Sequence, residues 1–186
     1  PTRFRPGEKR DDVFRVMYAG RITLQKGVQY LLQAFSQLDI PRSELVLTGE
    51  IEPDGKVFLP AFEGKFRHVR YLPQVEFAKS YQQASVFVLP SLQDGFGMVV
   101  YEAAACGIPI IVTENVGATI RDGQDGFVVP IRDAEALARK LTYLYEHPRE
   151  RIAMGRAACD YVQQFTWENY HREVISHYDA ILNQRR

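Results

Sequence analysis

The sequence predicts an α/β fold, a doubly wound parallel sheet of the Rossmann-like type. Short apolar runs recur along the 186 residues, and segments with helical periodicity separate most of them. Loops that contain glycine follow the first and fourth of these runs. Alternation of strands and helices is typical of a parallel sheet with crossover helices. A doubly wound sheet binds its ligands at the carboxyl ends of its strands, where these loops gather.

The apolar runs predict six buried strands. Each run is three to six residues long and rich in aliphatic or aromatic side chains. The predicted strands are Phe14–Ala19, Glu44–Thr48, Val69–Leu72, Val86–Leu89, Ile108–Val112 and Phe127–Val129.

Helical periodicity and capping residues predict the helices. The clearest helix runs from about Gly27 to Leu38, where apolar residues recur at spacings of three and four. A second, rich in Val and Ala, covers Met98–Cys106. Asp133 is a good N-cap for a third, Pro148 suits the first position of a fourth, and Thr166 can cap a last one.

Composition excludes several functional classes. Lys plus Arg and Asp plus Glu number 23 each, so bulk charge gives no reason to expect binding to nucleic acid or an anionic membrane. Cys106 and Cys159 match no metal or redox spacing, which favours reduced thiols and a cytoplasmic location. No apolar run approaches the ~20 residues that a membrane helix needs.

The segment from Asp94 to Glu102 is the most informative part of the chain. It places two carboxylates on either side of a glycine-rich turn between a strand and a helix. Gly95 and Gly97 therefore lie at a helix N-terminus, where free N–H groups and the helix dipole favour an anion. The Glu102 carboxylate can accept two hydrogen bonds from a diol such as a ribose. This arrangement predicts a sugar-nucleotide site.

A second cluster follows the first predicted strand directly. The loop from Gly20 to Gly27 carries Arg21 and Lys26 at the start of a helix, and two cations there suit a diphosphate. The order of residues fits neither a dinucleotide G-x-G-x-x-G fingerprint nor a Walker loop.

Each candidate also has a structural interpretation. Arg21 and Lys26 could belong to a solvated loop. Glu102 could form a buried salt bridge with an Arg or Lys, and Asp94 could be a helix-capping or turn residue. Cys106 fits a small packing residue better than a nucleophile.

Together these segments resemble the nucleotide-sugar-binding half of glycosyltransferase family 4 (glycosyl transferases group 1), which are retaining enzymes of the GT-B fold. The resemblance spans nearly the whole chain in the order of the family. It rests on the Gly-Arg-x4-Lys-Gly loop (20–27), the acidic pair at the family's E-x7-E position (94–102), Ala-Cys-Gly-Ile-Pro (105–109), Asp-Gly-Gln-Asp-Gly (122–126) and Phe-Thr-Trp-Glu (165–168).

The resemblance implies a role for each candidate residue. Arg21 and Lys26 would bind the donor diphosphate and stabilise it as a leaving group, and Glu102 would hold the ribose hydroxyls. Asp94, where the family usually has Glu, would face the donor sugar and share the catalytic role with the two cations. The remaining donor contacts, largely through the backbone, would come from Gly20, Val75 near the base, Gly95, Phe96, Gly97, Met98 and Val99.

The resemblance also implies the domain organisation. Residues 1–186 would form the donor-binding domain, with residues 1–12 as a linker-like segment and 166–186 as a C-terminal helix that reaches toward the other half. The N-terminal acceptor domain is absent, so we expect an excised domain or fragment that shows no transfer alone. Any peripheral membrane contact would come through that missing domain.

The function implied is transfer of a sugar from a nucleoside diphosphate sugar with retention of configuration, without a metal or other cofactor. Two alternatives stay open. A related GT-B epimerase or phosphorylase would keep the cleft, and a phosphorylase would favour inorganic phosphate or a sugar phosphate over a nucleoside diphosphate. A non-catalytic interaction module would keep the fold alone.

Overall fold

The computed structural model describes residues 3–183 of the chain. Within this range the backbone forms one sheet of six strands, flanked by helices on both faces. The strands are β1 (Phe14–Ala19), β2 (Ser43–Thr48), β3 (Arg67–Val69), β4 (Val86–Leu89), β5 (Ile110–Thr113) and β6 (Gly126–Val129).

The sheet has the order β3-β2-β1-β4-β5-β6, and all neighbouring strands are parallel. The predicted doubly wound parallel sheet is therefore confirmed. The strand order reverses between β1 and β4, which pair through Val16–Val86 and Met17–Phe87. In such sheets this reversal opens a crevice at the carboxyl ends of the two strands.

Two predicted strands, the third and the fifth, differ from the observed ones by two residues or more at an end, and the second and sixth begin one residue earlier than predicted. The third strand was expected at Val69–Leu72 but covers Arg67–Val69, because pairing with β2 ends where Thr48 meets Val69. The side chain of Tyr71, beyond that point, is 78% exposed. The fifth strand begins at Ile110 rather than Ile108. Pro109, which lacks an N–H group, precedes the first ladder pair between β5 and β6.

Seven α-helices connect or follow the strands within residues 3–183, and a 3₁₀ turn covers Leu59–Phe62. The helix predicted at Gly27–Leu38 is shorter than expected, covering Val28–Ser36. The helices are α1 (Val28–Ser36), α2 (Gly55–Phe58), α3 (Gln74–Gln83), α4 (Met98–Ala105), α5 (Ala134–Glu146), α6 (Pro148–Val162) and α7 (Trp167–Asn183).

The predicted helix starts are confirmed. Pro148 is the first residue of α6, and Thr166 Oγ1 accepts a hydrogen bond from the Asn169 N–H at 3.1 Å at the start of α7. The core lies on both sides of β1, β4 and β5, where α1 packs against α5 and α4 packs against α6. Among the described residues, no helix combines the length and apolarity that crossing a membrane requires.

The last helix, α7, is mostly exposed. From the sequence, Trp167 and the tyrosines of this helix are interpreted as core residues or as contacts to another domain. Trp167 is 74% exposed, Tyr170 56% and Tyr178 65%, so the interpretation as core residues is wrong. Their interpretation as contacts to another domain stays a prediction. Residues 184–186 of the predicted C-terminal helix, and Pro1 and Thr2, lie outside the described residues.

The N-terminal segment lies along α3. Gln82 Nε2 donates to the Arg5 carbonyl at 2.9 Å, and Gln83 Nε2 donates to the Glu8 carbonyl at 2.9 Å. Residues 3–12, the described part of the predicted linker-like segment, contain no helix or strand. The segment is therefore fixed to the domain through side-chain amides of α3.

Replacing the N-cap of α5 tests how the sequence begins a helix. Asp133 Oδ1 accepts from the Ala136 N–H at 2.7 Å, so Asp133→Ala leaves a first-turn donor without its protein partner. We expect a loss of about 1 kcal/mol in the free energy of unfolding, measured by urea denaturation. Asp133→Ser, which keeps a capping oxygen, should restore most of the loss. Equal losses in both variants would contradict the capping role.

Candidate functional site

Two loops meet at the carboxyl edge of the sheet, where the strand order reverses. The first follows β1 and covers residues 20–27, and the second follows β4 and covers residues 90–97. Their backbones touch, because the Leu92 N–H donates to the Gln25 carbonyl at 2.9 Å. The two loops that carry the predicted clusters therefore meet, as expected.

An ion pair joins the two loops. Lys26 Nζ lies 2.6 Å from Asp94 Oδ2, and the two side chains are only 19% and 15% exposed. Thr23 Oγ1 accepts from the Lys26 backbone N–H at 3.1 Å, which fixes the loop before the cation. The interpretation of Lys26 as a solvated loop residue is wrong, because its side chain is largely enclosed and its ammonium is paired with Asp94.

Asp94 holds its own loop as well as Lys26. Its Oδ1 accepts from the Gly97 N–H at 3.2 Å, so the interpretation as a turn residue is supported. The Asp94 backbone pairs with the loop after β5, donating to the Asn115 carbonyl at 3.1 Å and accepting from the Gly117 N–H at 2.9 Å. Through its carboxylate and its backbone together, Asp94 thus contacts three loops at the carboxyl ends of the strands.

The N-terminus of α4 presents unpaired backbone donors beside this ion pair. Within the described part of the chain, the N–H groups of Gly95, Phe96, Met98 and Val99 form no hydrogen bond with protein. Gly97 has a φ of 65°, the left-handed region, which turns the chain sharply into the helix. Four free donors and a helix dipole make this turn suited to an anion.

Glu102 lies further along α4 and is half-buried. The Tyr81 hydroxyl donates to its Oε2 at 3.3 Å. Burial raises the pKa of the Glu102 carboxyl, and the Tyr81 hydrogen bond opposes that rise. The alternative of a buried salt bridge is wrong, because no Lys or Arg side chain within the described residues pairs with Glu102.

Arg21 is placed differently from Lys26. Its side chain is 67% exposed, and its guanidinium lies 3.8 Å from Glu52 Oε1, in the loop after β2. The Tyr18 hydroxyl donates to the Arg21 carbonyl at 2.6 Å. Burial raises the pKa of the Tyr18 hydroxyl, the charge on Asp94 raises it further, and Arg21 opposes this, so both charges act at that hydroxyl.

Val75 and Gly20 occupy the same edge of the sheet. Val75 is the second residue of α3, follows β3, and is 62% exposed. The strand β2 separates β3 from β1, so Val75 lies to one side of the Lys26–Asp94 pair. The Gly20 N–H donates to the Thr48 carbonyl at 2.9 Å, which extends the β1–β2 ladder into the loop.

Sequence reasoning missed Tyr18, Glu52 and Tyr81. Both tyrosines are fully buried, yet each hydroxyl contacts a candidate residue. The position of Tyr18 within a strand and that of Tyr81 within a helix indicated core packing and no contact with the site. Burial raises the pKa of the Cys106 thiol to about 12, which agrees with its interpretation as a packing residue.

These features define a class of protein. A doubly wound sheet with a largely enclosed lysine, a helix N-terminus and a carboxylate at the crevice where the strand order reverses is a Rossmann-like domain whose crevice is suited to an anionic ligand. The chain belongs to the glycosyl transferases group 1 family, whose model matches residues 13–147.

Curated relatives agree with this assignment. The chain is 34% identical over 184 residues to a D-inositol 3-phosphate glycosyltransferase from an Arthrobacter species, covering 92% of the chain and 44% of that protein. It is 32% identical over 211 residues to the protein of the same name from Streptomyces avermitilis, covering 99% and 46%. The chain therefore spans less than half the length of these relatives.

Solved structures share the fold. Sucrose-phosphate synthase from Thermosynechococcus elongatus superposes with a TM-score of 0.78 at 28% identity, over 93% of this chain and 46% of that one. The HepE protein of Anabaena in complex with UDP-glucose superposes with a TM-score of 0.78 at 18% identity, over 91% and 49%. The flanked six-stranded sheet is thus the Rossmann-like fold of GT-B glycosyltransferases.

Proposed function

We propose that this chain is the donor-binding domain of a retaining glycosyltransferase that uses a nucleoside diphosphate sugar. The observation that carries the proposal is the position of Lys26 beside the free N–H groups at the N-terminus of α4, in the crevice where the strand order reverses. The membership of a transferase family and the names of the relatives support the reaction class.

Lys26 is proposed to bind the donor diphosphate. An ammonium group has three donors, and the bond to Asp94 uses one of them. The other two are free to reach phosphate oxygens, and the ion pair restricts the direction in which they point. Together with the free N–H groups of α4, they would stabilise the charge that develops on the departing diphosphate.

Glu102 is proposed to bind the ribose. Met98 and Glu102 are four residues apart in α4, so they lie on the same face and about 6 Å apart along the axis. A diphosphate at the helix start would therefore leave its nucleoside running along the face that carries Glu102. A carboxylate there can accept hydrogen bonds from both ribose hydroxyls.

Arg21 and Asp94 complete the proposed machinery. The exposed Arg21 guanidinium is held only at 3.8 Å by Glu52, so a diphosphate can compete for it. The Asp94 carboxylate has about four acceptor positions, of which Lys26 and Gly97 occupy two. The remaining positions would accept hydroxyl groups of the donor sugar, the role proposed for Asp94. The backbones of Gly20, Val75 and the 95–99 turn would supply further donor contacts.

The proposed reaction needs no metal ion. Lys26, Arg21 and the N-terminus of α4 would supply positive charge to the leaving diphosphate, the role that a divalent cation has in other transferases. A separate acceptor-binding domain and a cytoplasmic location are parts of the same proposal. The length of the curated relatives, more than twice the matched segment, supports the separate domain.

Titration of the chain with UDP, GDP and ADP, followed by calorimetry or NMR, tests the proposal. We expect one nucleotide to bind, and Glu102→Ala to weaken its affinity by about tenfold or more, because hydrogen bonds to a charged group are lost. Glu63→Ala is the matched control, since Glu63 is exposed near the start of β3, at the opposite end of the strands.

Three outcomes would contradict the proposal. Absence of binding to all three nucleotides would remove the donor site. Equal losses in Glu102→Ala and Glu63→Ala would remove the role of Glu102. Tighter binding of inorganic phosphate than of any nucleoside diphosphate would favour the phosphorylase alternative.

A further inference from the structure

Tyr81 joins helix α3 to the residues of α4 that face the proposed donor. It is fully buried, and its hydroxyl lies 3.3 Å from Glu102 Oε2 and 3.4 Å from the Val99 carbonyl oxygen. Both acceptors belong to α4, one on the backbone and one on the side chain. The hydroxyl therefore sits where it can fix both the helix and the orientation of its carboxylate.

Three aromatic rings determine where the Tyr81 hydroxyl lies. Phe77, Phe87 and Phe4 each meet its ring edge-on, with centroids 4.9, 5.6 and 5.9 Å away. Edge-to-face contacts of this kind restrict ring orientation. Phe77 belongs to the same helix, Phe87 to β4 and Phe4 to the N-terminal segment, so three separate parts of the chain hold this ring.

The hydroxyl has one proton and two available acceptors. A carboxylate attracts that proton more strongly than a neutral carbonyl, because hydrogen bonds to charged groups are stronger. Within residues 3–183 no Lys or Arg pairs with Glu102, so the Tyr81 hydroxyl is the polar group that orients the carboxylate. With Oε2 engaged, the direction of Oε1 is set as well.

We infer that Tyr81 is a positioning residue for ribose recognition, which acts through Glu102 without touching the nucleotide. The inference rests on the proposed function, since it assigns to Glu102 the ribose hydroxyls. If Glu102 points correctly only when Tyr81 holds it, loss of the hydroxyl will weaken discrimination for the ribose and spare the diphosphate.

The experiment compares a nucleoside diphosphate with its 2′,3′-dideoxy form. The pair is taken from UDP, GDP or ADP, whichever binds the unaltered chain most tightly. We expect the unaltered chain to prefer the ribose form, and Tyr81→Phe to reduce that preference about two- to tenfold, the effect of one hydrogen bond. Affinity for the dideoxy form should stay within twofold.

Tyr101→Phe is the matched control. Tyr101 directly precedes Glu102 in α4, but its hydroxyl accepts from the Thr119 N–H at 3.1 Å and its ring stacks on Phe96. This substitution also removes a tyrosine hydroxyl, at the position next to Glu102. The hydrogen bond between Tyr81 and Glu102 remains. We expect this variant to keep the ribose preference.

The outcomes separate the inference from the proposed function. An unchanged ribose preference in Tyr81→Phe, equal losses for both nucleotides, or a loss in Tyr101→Phe as large as in Tyr81→Phe would overturn the inference alone. An unaltered chain that binds both forms equally would overturn the roles of Glu102 and Tyr81 together, leaving the diphosphate site. Absence of any binding would overturn the donor site and, with it, the inference.

Folding of the variant is checked by its thermal unfolding midpoint. If Tyr81→Phe does not fold, Phe4→Ala takes its place, because it loosens the same ring from the N-terminal segment. A reduced ribose preference in Phe4→Ala would support the inference, and an unchanged preference would overturn it.

Discussion

Lys26→Ala is expected to reduce affinity for the nucleoside diphosphate by about 10- to 150-fold. The estimate corresponds to about 1.5–3 kcal/mol for hydrogen bonds to a charged group. Two effects contribute to this loss of affinity. The ammonium donors disappear, and the largely enclosed Asp94 carboxylate is left without its counter-charge. Calorimetric titration of the folded variant measures it.

The affinity for the corresponding nucleoside separates a phosphate contact from general damage. It should change little in Lys26→Ala, because the nucleoside carries no diphosphate. Lys65→Ala is the charge-matched control, since Lys65 is exposed and precedes β3, at the opposite end of the strands from the site. Equal losses for nucleoside and diphosphate, or for the two lysine variants, would refute the phosphate assignment.

Gly27→Ala is expected to lower the free energy of unfolding by about 3 kcal/mol or more. Gly27 has a φ of 68°, and an added Cβ would lie 1.9 Å from the carbonyl oxygen of Pro90. That atom is backbone in the facing loop, so relief of the clash requires the two loops to separate. Urea denaturation would measure the loss, and nucleotide binding should fall in the same variant.

Gly64→Ala isolates the conformational part of that loss. Gly64 has a φ of 75°, similar to Gly27, but nothing lies within 4 Å of its added Cβ. Its substitution should therefore cost only about 1–2 kcal/mol, the penalty of a left-handed residue. A loss at Gly64 as large as at Gly27 would show that conformation, rather than contact between the loops, explains the effect.

The sequence predicted the limits of the central strands better than those of the outermost strand β3. The strands β1 and β4 are apolar along nearly their whole length because both of their faces are buried, and their limits were predicted correctly. At the edge, the apolar residues Tyr71 and Leu72 extended the prediction past the end of pairing. Helix α3 gave no signal, since its buried residues are just Ala78 and Tyr81.

For the site, the sequence predicted which loops meet but not which side chains pair. The strand–loop–helix order places Lys26 and Asp94 at the same edge, and the structure joins them. Their ion pair depends on adjacency of β1 and β4, which periodicity does not specify. Likewise, the contact between Arg21 and Glu52 depends on the loop after β2, and the contact between Tyr81 and Glu102 depends on a side chain that extends from α3 to α4.

The site lies where the strand order reverses, and this position also affects how the chain folds. Lys26 and Asp94 are 68 residues apart, and their loops are neighbours because β1 pairs with β4, a strand from the other half of the sheet. Closing so long a loop costs entropy before the contact can repay it. A ligand bridging both loops would therefore select chains that have already joined their two halves, and its binding would report the completion of folding rather than its onset.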